Sequence, residues 1–461
     1  MPTTTTSKPK QKKGAKKPAK VKERPVKVSK EKPIARMGRS STAAKKDPVQ
    51  IIADSNEGRL LDLVPIRHSR MLVSPFTYYR GAAAVMAADL AEQDSSGIIV
   101  QSCGDCHILN CGAFATPERN VIIDLNDFDE THPAPFEWDL KRLAASMVLA
   151  LTSVGMPVSM GQSMAYDLGL AYQTHMASYA DERLLDIWYS MIDYQKFVDK
   201  ALTKSRRKFL KGNLAREQRK SSPEVLEQKL VEKKNGQYRF KELPPLLFHR
   251  NDIKEQSIQK AYDLYLKSLP ADRSDLLKHF QVVDFATKVV GTGSVGTFCG
   301  VLLLVGPHDD LLILQVKEAR PSVLEPHTQP SKFENHGQRI VVGQRIMQSA
   351  SDMFLGWSVG DRGRHFYVRQ LRDVKLSPIP ASWTKRSLPG IADFAGMVLS
   401  KAHAKSGEAP AIAEYIGKSD KFAKALAKGA VAYAAKTEAD YKLFAEACSS
   451  GKLPTAQTEV G

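Results

Sequence analysis

The chain has 461 residues, a formal net charge of +17, 43% hydrophobic and 25% charged residues. That length exceeds one small domain, and the composition is that of a globular protein: wholly disordered and collagenous classes are excluded, and nowhere do roughly 18 apolar residues run together as a membrane span requires. The charge suggests nucleic acid only until it is located, because residues 1–48 carry sixteen Lys or Arg against Glu23, Glu31 and Asp47 and so account for thirteen of the seventeen excess charges.

Residues 1–48 are rich in Lys, Pro and Thr and poor in large apolar side chains. Such a segment buries too little to offset its ordering entropy and is expected to be a disordered basic tail. It reads either as a solvated arm with weak polyanion affinity or as a nucleic-acid contact that salt would weaken. No apolar run of the kind a secretory leader needs follows Met1, so the expected location is cytoplasmic. Five cysteines then imply reduced thiols and no disulfide framework.

After the tail, Ser74-Pro75 precedes apolar residues at helical spacing, predicting a helix over about 76–92. The run Ile98-Ile99-Val100, a polar loop from Cys103 to Gly112, and Val121-Ile122-Ile123 read as strand, loop, strand, ending in Asp124-Leu125-Asn126-Asp127-Phe128-Asp129. Leu140, Leu143, Met147 and Leu151 predict a helix with Asp139 at or near its cap. Residues 156–200 continue as helices, and the basic stretch 201–240 reads as a solvated helical insertion. From Val282 to Ala319 the pattern becomes that of strands separated by Gly- and Asp-containing turns. A helix over about 338–354, a hairpin through Gly360-Asp361-Arg362-Gly363 and an Ala- and Lys-rich helical end complete an α+β chain. Four segments result: the tail 1–48; a mainly helical lobe, 49–250; a β-rich nucleotide-binding lobe, 251–375; and a helical segment, 376–461, packing back on the helical lobe.

Two stretches carry the chemistry. Asp105 stands five residues before Asn110 in a loop between strands, and Asp127 and Asp129 follow at the end of the next strand. Phosphoryl transfer needs such a set: a carboxylate for the attacking hydroxyl, and an amide and carboxylate oxygens for Mg²⁺. Asp105 is the candidate base; Asn110, Asp127 and Asp129 are the candidate metal residues. Far downstream, Gly291, Gly293, Ser294 and Gly296 form a G-x-G-x-x-G between strand-like runs, which suits a flap over ATP phosphates better than a dinucleotide fingerprint, where a helix must follow. Lys317, ending the next strand but one, is placed to grip the phosphates. Arg67, Arg70, Arg80, Arg369 and Arg372 either bind phosphate or pair locally. His107 is either a structural loop histidine or a participant. Cys103, Cys106 and Cys111 read as small buried thiols; haem attachment at Cys103–His107 and a zinc site with His107 and Cys111 are the weaker alternatives, the first lacking an export signal and the second lacking a distant ligand pair.

From Arg67 to Tyr441 the ordered motifs resemble the bacterial proteins grouped as domain of unknown function 2252. They include Ser74-Pro75-Phe76, Gly104-Asp105-x-His107-x-x-Asn110, Asn126 to Glu130 with Trp138-Asp139-Leu140, the glycine run, Leu314 to Ala319, Gly343-Gln344-Arg345, Phe366 to Gln370 and His403-Ala404. The loop and acids are also similar to the catalytic loop, metal Asp and following helix of aminoglycoside and choline phosphotransferases. That similarity implies Asp105 as base, Asn110 and Asp127 on Mg²⁺ and Asp139 in a structural role. With the glycines and Lys317 after these residues instead of before them, it implies a two-lobed, circularly permuted protein-kinase-like fold. No Glu lies between Gln338 and Phe354, so the acidic partner of Lys317 is expected from Glu318, Glu325 or Glu334. The expected activity is ATP- and Mg²⁺-dependent phosphoryl transfer to a hydroxyl of an unidentified acceptor. The alternatives are a non-catalytic nucleotide-binding or interaction module whose tail reaches polyanions, and a metal-thiolate protein.

Overall fold

The computed structural model describes residues 47–199, 204–220, 223–291, 293–371 and 375–456. Nearly all of the basic tail, Thr292 of the glycine run and Arg372 lie outside the described residues.

The described residues open with four short helices, α1 (Pro48–Asp54), α2 (Val64–Met71), α3 (Pro75–Gly81) and α4 (Ala83–Ala91). Ser74 caps α3 through a reciprocal box with Thr77, with Pro75 in the first turn, where its missing N–H costs nothing. The single helix expected over 76–92 is broken at Ala82, whose φ of −112° and ψ of 35° leave the helical region. Then come β1 (Ile99–Ser102), β2 (Cys111–Ala115), β3 (Val121–Leu125), β4 (His132–Pro135), α5 (Phe136–Thr152), α6 (Val158–Ala180), α7 (Leu184–Tyr189), β5 (Ile192–Asp193), α8 (Tyr194–Asp199), α9 (Lys204–Lys220) and α10 (Pro223–Leu230). The basic stretch ends as a hairpin instead of a helix: β6 (Val231–Lys234) and β7 (Gln237–Phe240) are joined by Asn235 and Gly236, both at positive φ, as a two-residue hairpin turn requires.

β8 (Leu247–Phe248), α11 (Glu255–Ser268), α12 (Ala271–Leu277), β9 (Gln281–Lys288), β10 (Cys299–Val305), β11 (Leu311–Ala319), α13 (His336–Met347), β12 (Gly356–Val359) and β13 (His365–Gln370) follow. β14 (Lys375–Leu376), α14 (Leu388–Ala404), α15 (Ala409–Ile416) and α16 (Lys421–Ser449) end the chain.

Two units result. In the helical unit α5 is buried all round, from Phe136 to Leu151, between α6, α16, α3 and β1, which pairs with β4; a four-stranded sheet of order β14-β2-β3-β5 belongs to the same unit. A helix enclosed on every side can afford polar residues only where each finds a partner, and the partners of Asp139, Arg142 and Ser146 define the site below. The second unit is an antiparallel six-stranded sheet, β12-β13-β11-β10-β9-β8. Side-chain alternation along β11 sends Leu312, Leu314 and Val316 toward Tyr262 and Tyr265 of α11, and Ile313 toward Val301, Leu303 and Phe240. Val231, Phe240 and Leu247 bury against Ala286 and Val301, so this unit takes in the β6–β7 hairpin and β8 and begins before residue 251. α13 stops at Met347 instead of running to 354, because Gln348 and Ser349 turn away to bond the Leu125 carbonyl (2.7 Å) and the Asp124 carboxylate (2.8 Å) of β3. No helix among the described residues is long and apolar enough to cross a membrane.

Candidate active site

The loop from Cys103 to Asn110 is held by one stripe of α5. Residues 139, 142 and 146, spaced three and four apart, share a helix face. Asp139 accepts the backbone N–H groups of Cys103 (2.7 Å) and Gly104 (3.0 Å), Arg142 Nε donates to Asp105 Oδ1 at 2.6 Å, and Ser146 Oγ accepts from Ile108 N at 2.9 Å. Asp139, expected at the cap of its helix, therefore caps the loop instead. Behind it, His403 Nε2 stands 3.4 Å away, and Tyr172 OH stands 2.8 Å from the other ring nitrogen. Burial works to raise the Asp139 carboxyl, but the hydrogen bonds from His403, Ser102 and the Cys103 amide outweigh it and hold it below its ordinary value. Gly104 sits at φ +80°, and a Cβ there would meet the Glu130 carbonyl at 2.2 Å, so no other residue fits. Asn110 Nδ2 donates to the Asp105 carbonyl at 2.7 Å, leaving its amide oxygen as the atom a cation would meet, while its own carbonyl accepts from Asn126 N at 2.9 Å.

The acidic turn after β3 meets the second unit. Lys317 Nζ lies 2.5 Å from Asp129 Oδ2, and Tyr367 OH donates to Asp129 Oδ1 at 2.5 Å. Lys317 and Tyr367 are register partners across β11 and β13, so both side chains rise from one face of the sheet. Next on that face, Arg369 Nε donates to Gln315 Oε1 at 3.1 Å. Burial works against the Lys317 ammonium, yet Asp129, with Tyr367 and Asp127 adding, outweighs it and holds the amine charged above its ordinary range. The partner of Lys317 is thus an aspartate of the other unit. Of the glutamates expected there, Glu318 accepts Phe298 N at 2.9 Å and Glu325 accepts Ser331 N at 2.9 Å. From α13, Arg339 donates to the carbonyls of Asp129 (2.9 Å), Arg320 (2.8 Å) and Thr131, locking the acidic turn against β11.

The glycine run joins β9 to β10, strand to strand as expected, with Gly291 and Gly296 at φ +73° and +89°. Arginines of the N-terminal helical segment hold its carbonyls: Arg70 takes Gly291 O (2.5 Å), and Arg59 takes Gly293 O (2.9 Å) and Val295 O (2.7 Å). Ser294 O accepts the Thr297 amide. A Cβ on Gly293 would lie 3.0 Å from the Arg80 carbonyl, and the Arg80 side chain reaches to 3.5 Å from His107 Nε2. Arg80 therefore bridges the glycine run and the Asp105 loop. Burial lowers its pKa, with Asp105 and Asp127 opposing.

Of the residues singled out from the sequence, Asp105 and Asp127 act on Arg80, and Asp127 and Asp129 act on Lys317, so these four lie within electrostatic reach of shared neighbours. Arg67 does not join them: it is buried on Asn56 Oδ1 and the Gly81 carbonyl. Arg59, Arg142, Arg339 and Tyr367 had no individual role in the sequence reading. For Arg142 a signal existed, since Asp139, Arg142 and Ser146 form a polar stripe in an otherwise apolar helix.

A family model described as an uncharacterized protein conserved in bacteria (DUF2252) matches residues 59–447. The chain belongs to the DUF2252 family. The match spans every site residue of this DUF2252 protein, from Arg59 at the glycine run to His403 behind Asp139. No curated protein and no solved structure matches the chain.

Two features of the DUF2252 site limit its chemistry. All five cysteines are free and buried; burial pushes the Cys103 thiol up to about 12, so it stays protonated, the opposite of what a metal ligand or redox nucleophile needs. Among the described residues, no three His, Cys, Asp or Glu side chains cluster closely enough to hold a metal ion by themselves. His107 is 4% exposed, and burial brings its pKa down to about 4, with Asp105 opposing and Arg80 and Arg142 assisting. It is neutral at pH 7. Because its folded pKa lies below the unfolded value of about 6.5, the stability present above that pH is lost as pH falls toward 4, by up to on the order of 3 kcal/mol. His107→Gln is expected to flatten this part of the stability curve, measured by urea unfolding at intervals between pH 7 and 4; an unchanged slope would contradict a buried neutral imidazole.

Proposed function

We propose that the chain transfers a phosphoryl group from ATP to a hydroxyl, with Mg²⁺, on a two-lobed kinase-like framework whose lobes occur in exchanged chain order. The Lys317–Asp129 ion pair carries this reading, because it joins two stretches 188 positions apart, the acidic turn with its oxygens and the strand that bears the cation, which we take to border one cleft. Such transfer relies on positioning and electrostatics more than on covalent chemistry, and those are what this cleft supplies. With the carbonyls of Gly291, Gly293 and Val295 held by Arg70 and Arg59, the glycine run would turn N–H groups toward a polyphosphate. Lys317 grips the phosphates and Asp129 orients it. Asp105, anchored at one oxygen by Arg142, orients the acceptor hydroxyl and takes its proton.

The donor set fits Mg²⁺, which favours hard oxygen ligands and lets phosphates and water fill most positions. Asn110 and Asp127 would hold it, beside Asp129 on Lys317 and Tyr367. The ion would supply neutralisation of the phosphate charge.

The test is titration calorimetry with ATP. Affinity is expected only with Mg²⁺ and is expected to fall about tenfold or more in Lys317→Ala, which removes a buried cation. Absence of any Mg²⁺-dependent ATP binding would sink the reading. The Arg142 clasp on Asp105 also favours a second reading, a nucleotide-binding module without turnover, since it occupies one of the two carboxylate oxygens.

A further inference from the structure

The six-stranded sheet has a cavity on the face opposite Lys317. It encloses about 280 Å³ between α11 and the sheet, near the small end of the usual range for ligand pockets. Its walls are aromatic: Phe285 of β9 and Phe298 stack with ring centroids 6.0 Å apart and planes 5° from parallel, and Phe366 of β13 meets Phe298 edge-on at 5.8 Å. Tyr262 of α11 is also in the wall, and its buried hydroxyl has no hydrogen-bond partner among the described residues. A ring inserted here gains offset and edge contacts that an aliphatic chain does not.

The rim differs in character. Arg250, Lys254, Arg362 and Arg364 stand against Asp252 and Asp361. Asp252 is already engaged by Arg250 through two bonds of 2.9 and 3.1 Å, so the remaining charge at the mouth is positive. Arg362 is exposed and sits at φ +59° in the turn between β12 and β13. A small planar ring bearing one negative charge is complementary to both parts.

We propose that this cavity is a binding site for a small aromatic carboxylate, separate from the phosphotransfer cleft. The ring lies among Phe285, Phe298 and Phe366, and the carboxylate meets Arg362 and Arg364 at the mouth. The site does not depend on the phosphotransfer reading.

The experiment is fluorine NMR titration of the full chain with 4-fluorobenzoate, against neutral 4-fluorobenzamide and cationic 4-fluorobenzylamine. Saturable binding of the benzoate is expected with a dissociation constant on the order of 1 mM, given its few heavy atoms, with the amide about tenfold weaker and the amine weaker still. Arg362→Glu and Arg364→Glu, both at the rim, are each expected to weaken the benzoate about fivefold or more and to spare the amide. Ala261→Phe, which fills the cavity from α11, is expected to abolish binding while its melting curve shows a folded chain. Equal affinity for all three probes, or a folded Ala261→Phe chain that still binds, would overturn the proposal. So would displacement of the benzoate by Mg²⁺-ATP, which would make the cavity the nucleotide site. A chain that binds the benzoate but never ATP would retain this site and lose only the phosphotransfer reading.

Discussion

Asp105→Asn is expected to leave Mg²⁺-ATP affinity within about threefold of the parent while reducing ATP turnover by about 10²–10⁴-fold, the usual contribution of a positioned general base. The substitution keeps the shape of the side chain and an oxygen for Arg142 Nε, now 2.6 Å away, so the loop stays in place. What it removes is the proton acceptor. The readout is ATP consumption, with water standing in for the unidentified acceptor hydroxyl, alongside calorimetric affinity. Because Arg142 is almost wholly buried, loss of its counter-charge is also expected to lower stability, and a melting curve separates that effect from catalysis. Turnover equal to the parent's would remove Asp105 from the chemistry. Turnover absent from both proteins, with ATP bound by both, would favour the binding module.

The second large effect is expected at Arg339. The residue is 2% exposed, and its guanidinium donates to the carbonyls of Asp129, Thr131 and Arg320. Arg339→Ala leaves those carbonyls without a charged donor and opens a cavity behind the acidic turn. A loss of about 3–5 kcal/mol is expected from hydrogen bonds to a charged group and from lost packing, read as a lower urea midpoint. The same variant is expected to weaken ATP, because Asp129 would no longer be held opposite Lys317. Arg339→Lys is expected to recover less than half of the stability, since one ammonium does not reproduce a planar fork spread over three acceptors. A midpoint unchanged in Arg339→Ala would show that the turn is held by something else.

Most of the elements near the site were legible locally. The alternation from Val282 to Ala319, the strand–turn–strand setting of the glycine run and the apolar period of α5 are short-range patterns, and the folded chain has them. The β6–β7 hairpin was legible too, in the Asn235-Gly236 dipeptide, but its charged setting reads equally as an exposed helix. The break at Ala82 and the stop at Met347 depart from the local periodicity. The stop is set by Asp124 and Leu125 of β3, more than two hundred positions away, which no local period reports.

The sequence by itself determined the residue types on which the chemistry rests: an Asp and an Asn in one loop, acids at a strand end, glycines between strands and a lysine beyond. It also sufficed for the family. Only the tertiary structure decided which of these meet. Lys317 finds Asp129 and not a glutamate of its own unit, Asp139 holds a loop and not a helix end, and Arg80 ties the glycine run to His107. The physical reason is that local patterns depend on neighbours a few residues apart, whereas a buried charge is satisfied by whatever partner packing brings to it, however distant in the chain.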